Sequence, residues 1–111
     1  GIIANQLPGL KERLKKIGLY QWIDLVVSSA EFGLSKPSPA IFTLALEKAH
    51  CLAQQAVMIG DRIDNDIIPA KALGMTTIWL KQAFSAYYQP QRLEEKPDFT
   101  IENLSSLLSL L

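Results

Sequence analysis

The sequence has 111 residues, which is enough for one hydrophobic core and too few for two full domains. Eleven Lys and Arg residues balance 11 Asp and Glu residues, and 49% of the chain is hydrophobic, as in an ordinary globular protein. This balance argues against nucleic acid or an anionic membrane as the main partner, because either would require a basic excess. The single cysteine, Cys51, permits no internal disulfide, so we expect a reducing, cytoplasmic location.

Short apolar runs alternate with longer stretches of helical periodicity, a pattern typical of repeated βα units. Four runs lack polar alternation and include β-branched residues, so they predict strands of a parallel sheet covered on both faces. These runs lie at residues 2–4, 24–28, 56–59 and 76–80. A weaker run at 99–101 predicts an edge strand. The predicted fold class is therefore α/β.

Two helices are predicted in the first half of the chain. The first runs from Leu10 and ends before Gly18, a residue that suits the position after a helix. The second has Ser38 as its N-cap and Pro39 as its first residue. Helical spacing assigns its inner face to Ile41, Phe42, Ala45, Leu46 and Ala49.

The second half is predicted to contain two more helices and one irregular stretch. A helix at 65–73 should carry Pro69 in its first turn or at a kink. Leucines at helical spacing predict a terminal amphipathic helix at 104–111. The stretch between them at 82–98 is predicted to be irregular, with residues 94–96 forming a solvated turn.

The strongest chemical motif is the stretch Val-Met-Ile-Gly-Asp-Arg-Ile-Asp-Asn-Asp at 57–66. An apolar strand that runs into Gly-Asp places Asp61 at the carboxyl end of the strand, where open α/β sheets bind ligands. Asp61, Asp64 and Asp66 form a cluster of oxygen donors suited to Mg²⁺, and Asp61 and Asp66 are the stronger candidates. The alternative is that Asp64 and Asp66 only cap the following helix.

A second motif, Gly-Leu-Ser-Lys-Pro-Ser-Pro at 33–39, follows the second predicted strand. Pro37 and Pro39 stiffen the loop and restrict Lys36 to extended backbone. A lysine at the carboxyl end of a strand can neutralise a phosphoryl group and help keep nearby acids ionised. Alone, such a lysine is more often an exposed loop residue, but the capped helix behind it favours a functional role.

Three segments, in this order, resemble the second, third and fourth motifs of the haloacid dehalogenase-like (HAD) hydrolases. They are Ile-Ile-Ala-Asn at 2–5, Lys-Pro-Ser-Pro-Ala-Ile-Phe at 36–42, and Gly-Asp-Arg-Ile-Asp-Asn-Asp at 60–66 followed by 70–74. The resemblance spans nearly the whole chain. It implies a Rossmann-like core with a three-layer parallel sheet, a Mg²⁺ cofactor, and hydrolysis of small phosphomonoesters through an aspartyl-phosphate.

The resemblance also implies a role for each matching residue. Asp61 would be a Mg²⁺ ligand and Asp66 a second acidic group of the metal site. Lys36 would stabilise the nucleophile and the phosphoryl oxygens. The family usually has Thr or Ser where this sequence has Ala4, so contact with the phosphoryl group would pass to the side-chain amide of Asn5 and nearby backbone N–H groups.

The family's first motif, a strand ending in Asp-x-Asp that carries the nucleophile and the general acid, is missing. Residues 64–66 have that spelling, but they follow Asp61 in a loop that enters a helix, so we reject them as the nucleophile. Without a nucleophilic carboxylate no aspartyl-phosphate can form. The chain alone is therefore predicted to be inactive.

We expect residues 1–111 to be a partial HAD-like core domain from a longer enzyme, without the first motif and the cap. The run at 2–4 supports this, because a buried strand begins at once with no leader before it. The missing strand would lie centrally, and its absence would leave a gap with unpaired backbone groups. The expected partners are a small phosphorylated substrate and the missing N-terminal segment or a second copy of the chain.

Other functions stay open. A haloacid dehalogenase of the same family would need no metal, and the crowded carboxylates argue against it. In a phospho-receiver or other phosphate-binding module the lysine follows the acidic cluster, whereas Lys36 precedes Asp61. A non-catalytic fragment is the third alternative, because the nucleophile is missing.

Overall fold

The computed structural model describes the backbone of residues 1–111 and every side chain except that of residue 83. The fold is mixed α/β with parallel strands throughout, which confirms the predicted class. The chain divides into two compact units, Gly1–Cys51 and Leu52–Leu111. None of the described helices combines the length and the apolar character needed to span a bilayer.

The first unit contains a two-stranded parallel sheet and three α-helices. Its elements are β1 (Ile2–Ala4), α1 (Leu10–Lys16), a 3₁₀ turn (Tyr20–Trp22), β2 (Val26–Ser28), α2 (Ser29–Phe32) and α3 (Pro39–Ala49). Ile3 lies opposite Val27 in the parallel ladder. Parallel strands require a crossover, and α1 supplies it. The observed β2 is two residues shorter at its start than predicted.

Apolar residues of β2, α1 and α3 form the buried core of this unit: Leu14, Val26, Val27, Ile41, Phe42 and Ala45. As predicted, Ser38 caps α3, and its Oγ accepts a hydrogen bond from the Ala40 N–H at 3.4 Å. The predicted inner face is wrong at its end, because Ala49 is exposed in the last turn of α3.

The second unit contains a three-stranded parallel sheet in the order β3-β4-β5. Its main elements are β3 (Val57–Gly60), a π-helical turn (Ile63–Ile67), α4 (Ile68–Ala72), β4 (Thr76–Leu80), β5 (Phe99–Ile101) and α5 (Leu107–Leu110). Shorter 3₁₀ turns lie at Ala53–Gln55, Ala83–Tyr87, Leu93–Glu95 and Leu104–Ser106. The edge position predicted for β5 is confirmed.

The central strand β4 is covered on both faces. Ile78 and Leu80 pack with Ile101 on one face. Trp79 packs with Ile63 and Ile67 of the π-helical turn on the other. This double burial explains why β4 is apolar without alternation.

β1 and β3 each have a single ladder partner within the described chain. β1 pairs with β2 and β3 pairs with β4, and the other edge of each strand carries no strand among the residues described. An unpaired strand edge exposes a row of backbone N–H and C=O groups that can accept another strand.

Two predicted helices differ from the structure. The helix predicted at 65–73 begins at Ile63 as a π-helical turn, and Pro69 then lies in the first turn of α4 as expected. The turn is wide because the Ile67 N–H reaches back to the Arg62 carbonyl at 3.3 Å. The terminal helix is only one turn long, and Leu108 is 87% exposed, so the amphipathic prediction is wrong there.

The segment between β4 and β5 is held by two acidic side chains. Asp98 accepts hydrogen bonds from the Thr77 N–H (2.8 Å) and hydroxyl (3.1 Å). Glu95 is only 7% exposed and accepts from the Gln91 N–H at 2.8 Å and from the Arg92 side chain at 3.1 Å. The predicted solvated turn is therefore wrong at Glu95, which is a structural anchor.

The hydrogen bonds to Glu95 predict a pH-dependent stability. Backbone N–H groups, Gln91 first, hold the pKa of the Glu95 carboxyl below its ordinary value of 4.5. Because the pKa is lower in the folded state, the ionised carboxylate contributes its full stabilisation above the ordinary pKa of 4.5. This contribution is lost as the pH falls through the folded-state pKa. Glu95→Gln should therefore lower the free energy of unfolding at pH 7, and the difference from wild type should shrink as the pH falls below 4.5.

Urea denaturation at a series of pH values measures this effect. Glu94→Gln is the matched control, because the Glu94 side chain is 58% exposed and should have little influence. A Glu95→Gln deficit that is the same at pH 3 and pH 7 would contradict the assignment.

Candidate active site

Asp61 is the first residue after β3, at the carboxyl end of that strand. Its side chain lies at the exposed surface, which agrees with the sequence prediction of a ligand site at this end of the strand. The main chain next to Asp61 is held by hydrogen bonds to two buried side chains.

The peptide group that joins Asp61 to Arg62 is hydrogen bonded at both ends by buried side chains. The indole Nε1–H of Trp79 donates to the Asp61 carbonyl oxygen at 2.9 Å. The Arg62 N–H donates to Oδ2 of Asp66 at 3.0 Å. Trp79 is 4% exposed and Asp66 3% exposed, so both partners are fixed by packing. We call these two hydrogen bonds the peptide clamp.

Gly60 makes room for Asp66. A Cβ atom at position 60 would overlap Cβ, Cγ and Oδ2 of Asp66. Gly60 is therefore needed for close approach of a carboxylate and not for an unusual backbone angle. This explains physically why the Gly-Asp pair precedes the acidic cluster.

Asp64 has a different partner from the other two acids. It forms a bidentate ion pair with Arg62, with Oδ1 at 3.1 Å from Nε and Oδ2 at 2.6 Å from Nη2. The Arg62 guanidinium lowers the pKa of the Asp64 carboxyl, and Oδ1 also accepts from the Asn65 N–H at 2.9 Å. The structure thus pairs Asp64 with Arg62.

The donor set fits Mg²⁺ in kind. Asp61 offers an exposed carboxylate and Asp66 a buried one, and Mg²⁺ prefers such oxygen ligands. The Asp66 carboxylate uses Oδ2 on the Arg62 N–H, as carboxylates that bind metals commonly use a second hydrogen bond. Within the described side chains, no group of three or more His, Cys, Asp or Glu residues is placed to hold a metal. The two aspartates would therefore supply part of a coordination shell.

Asn5 and Lys36 are joined in the first unit. Both ends of the Asn5 amide are used on the Lys36 main chain: Oδ1 accepts from the Lys36 N–H at 2.8 Å, and Nδ2 donates to the Lys36 carbonyl at 2.9 Å. The Lys36–Pro37 peptide bond is cis. The structure thus brings together two residues predicted separately. Phosphoryl contact by the Asn5 side chain stays a prediction, because the structure shows its amide holding the lysine loop.

Two further residues that the sequence analysis missed hold the loop after β1. Ser29 Oγ accepts from the Gln6 N–H at 3.0 Å and donates to the Gln6 carbonyl at 3.3 Å. Arg13 of α1 donates to the carbonyl oxygens of Pro8 (2.8 Å) and Leu7 (2.9 Å). No local pattern marks the Ser29 contacts, because Ser29 and Gln6 are 23 residues apart, whereas Arg13 contacts carbonyl groups only five and six residues before it.

These features define a class of protein: a parallel α/β fold with an acidic loop after one strand and an anchored lysine loop after another. Residues 33–107 match the family model described as HAD-hydrolase-like. The chain belongs to the HAD-like hydrolase family.

Named relatives in this family differ in what they act on. The chain is 36% identical over 100 residues to the glyceraldehyde 3-phosphate phosphatase of Methanocaldococcus jannaschii, which covers 90% of the chain and 42% of that protein. The structure of the present chain resembles that of the HAD-hydrolase YfnB from Bacillus subtilis bound to magnesium, with a TM-score of 0.85 and 25% identity. The match covers 99% of the present chain and 47% of YfnB. The present chain also resembles a 2-haloacid dehalogenase from Pseudomonas syringae, with a TM-score of 0.74, 33% identity, and coverage of 87% and 40%. The chain thus spans less than half the length of each of these three proteins.

The contact between Gly60 and Asp66 predicts a specific destabilisation. Gly60→Ala should lower the free energy of unfolding by about 1–3 kcal/mol, because the added methyl group overpacks against the carboxylate. In an Asp66→Gly background the same substitution should cost much less, since the obstructing atoms are gone. Urea denaturation of the four proteins in this cycle measures the coupling. Equal costs in both backgrounds would show that Asp66 is not the obstruction.

Proposed function

We propose that this chain is part of a Mg²⁺-dependent phosphatase that hydrolyses small phosphomonoesters. The observation that carries the proposal is the peptide clamp, which holds Asp61 at the carboxyl end of β3 beside a buried Asp66. Two carboxylates at this loop would attract a divalent cation that can neutralise phosphoryl oxygens. The phosphatase and the magnesium-bound hydrolase among its relatives support the same proposal.

Each of the predicted residues has a proposed task. Asp61 and Asp66 would hold the metal ion, which would polarise the phosphoryl group when bound. Lys36 would stabilise the charge on the nucleophile and on the phosphoryl oxygens. Asn5 would hold the Lys36 main chain.

The nucleophile is proposed to come from outside residues 1–111, which form a partial core domain. The free edges of β1 and β3 support this, because each can accept another strand. The chain's coverage of 42% of the archaeal phosphatase also supports it. A strand that ends in Asp-x-Asp would supply the aspartyl-phosphate, and a cap would select the substrate. The single cysteine agrees with work in the reducing cytoplasm.

A dehalogenase is the second candidate. Its support is the 33% identity to the 2-haloacid dehalogenase over 87% of the chain. Such an enzyme would work without a metal and would not need Asp61 and Asp66 as ligands. Metal dependence therefore separates the two candidates.

Substitution of Asp61 tests the phosphatase proposal in the longer protein that carries the missing strand. Asp61→Asn should reduce Mg²⁺-dependent hydrolysis of p-nitrophenyl phosphate by at least about 100-fold, because a charged ligand is lost while the shape is kept. Asp64→Asn is the matched control and should retain activity, since Asp64 is paired with Arg62. Steady-state rates at a series of Mg²⁺ concentrations measure both.

Three results would overturn the proposal. Full activity of Asp61→Asn would remove Asp61 from the metal site. Hydrolysis that is unchanged by chelation of divalent cations would remove the metal. Metal-independent release of halide from a 2-haloacid, with no phosphatase activity, would favour the dehalogenase.

A further inference from the structure

Trp79 occupies a position that a simple core residue would not require. It lies in β4 opposite Gly60 of β3, the residue that precedes Asp61. Its ring packs with Ile63 and Ile67, and its Nε1–H reaches the Asp61 carbonyl at 2.9 Å. The ring is thus held by apolar contacts while its single donor is directed at the site loop.

The hydrogen bond from Trp79 acts on the same peptide group as the one to Asp66. A peptide group is planar, so fixing its oxygen and its N–H together fixes the orientation of the whole plane. That plane sets the backbone torsion that follows Cα of Asp61 and limits where its carboxylate can lie. Removing either hydrogen bond would leave the plane held at one end only.

We propose that Trp79 is a positioning residue for Asp61 that sets the affinity of the site for a divalent cation. This inference rests on the proposed function, because it assigns a metal to Asp61. This role requires a ring that packs with apolar residues and a donor that reaches the Asp61 carbonyl. Phe has no donor, and the hydroxyl of Tyr lies at the far end of its ring. The contribution is made through the backbone, so Trp79 itself touches neither metal nor substrate.

The first test uses the longer protein that carries the missing strand and measures no enzymatic activity. Hydrogen exchange measured by NMR at the Arg62 N–H, which donates to Asp66, reports how well the peptide clamp protects this amide. Trp79→Phe should raise the exchange rate of this amide about fivefold, as expected for loss of one neighbouring hydrogen bond. Trp22→Phe is the matched control, because Trp22 is 75% exposed and is the other tryptophan of the chain.

A second variant separates the donor from the ring. Incorporation of 3-benzothienylalanine at position 79 keeps the bicyclic shape and replaces the N–H by sulfur, so the core stays filled. It should reproduce the faster exchange at Arg62 even if the smaller Phe disturbs folding. Wild-type exchange at Arg62 in the benzothienyl variant would overturn the positioning role.

The second test uses the longer enzyme and varies only the concentration of Mg²⁺. Trp79→Phe should raise the Mg²⁺ concentration for half-maximal activation about tenfold or more, the usual scale for residues that orient metal ligands. The KM for p-nitrophenyl phosphate should stay unchanged. A fall in kcat with an unchanged Mg²⁺ requirement would show a merely structural tryptophan. If the wild-type enzyme itself shows no Mg²⁺ requirement, the proposed function fails, whereas the exchange result at Arg62 still stands on its own.

Discussion

The acidic loop depends on one peptide group, the link between Asp61 and Arg62. Its oxygen and its N–H are both hydrogen bonded, to Trp79 and to Asp66, and both partners are buried. A buried hydrogen bond contributes only about 1 kcal/mol to stability, so its value here is geometric and not energetic. The clamp fixes the main chain at an exposed loop residue. Gly60 leaves room for Asp66, and Ile63 and Ile67 pack against Trp79.

The lysine loop uses the same device with different residues. Asn5 holds the Lys36 main chain by two hydrogen bonds, as Trp79 and Asp66 hold the main chain at Asp61. In both loops, side chains hold main-chain polar groups of a residue that the sequence predicts to be functional, on one peptide group at Asp61 and on two successive peptide groups at Lys36. Sites that act on charged groups benefit from donors and ligands whose positions do not have to be reorganised during the reaction. The anchors use main-chain atoms of Asp61 and Lys36 and not their side chains.

Strand positions, the capping of α3 by Ser38 and the place of Asp61 were predictable because they depend on local periodicity and local hydrogen bonds. The two anchors were not. Asn5 and Lys36 are 31 residues apart, and Trp79 and Asp61 are 18 apart, so each contact exists only after strands have paired. The prediction at Glu95 was wrong for a different reason: its carboxylate accepts local hydrogen bonds from the Gln91 and Arg92 N–H groups, which a run of charged residues does not indicate. The sequence thus indicated which residues carry charge, and the structure shows what holds them.

Asp66 has a structural contact as well as a proposed role in metal binding. Its Oδ2 accepts a hydrogen bond from the N–H of Arg62, the residue immediately before the π-helical turn. A carboxylate has two oxygens and about four acceptor sites, so this bond does not prevent it from serving a cation. Asp64 is different, because the Arg62 guanidinium uses both of its oxygens. Asp64 and Asp66 thus differ in the printed partner of their carboxylates, a guanidinium for Asp64 and a main-chain N–H for Asp66, although only two positions separate them in the sequence.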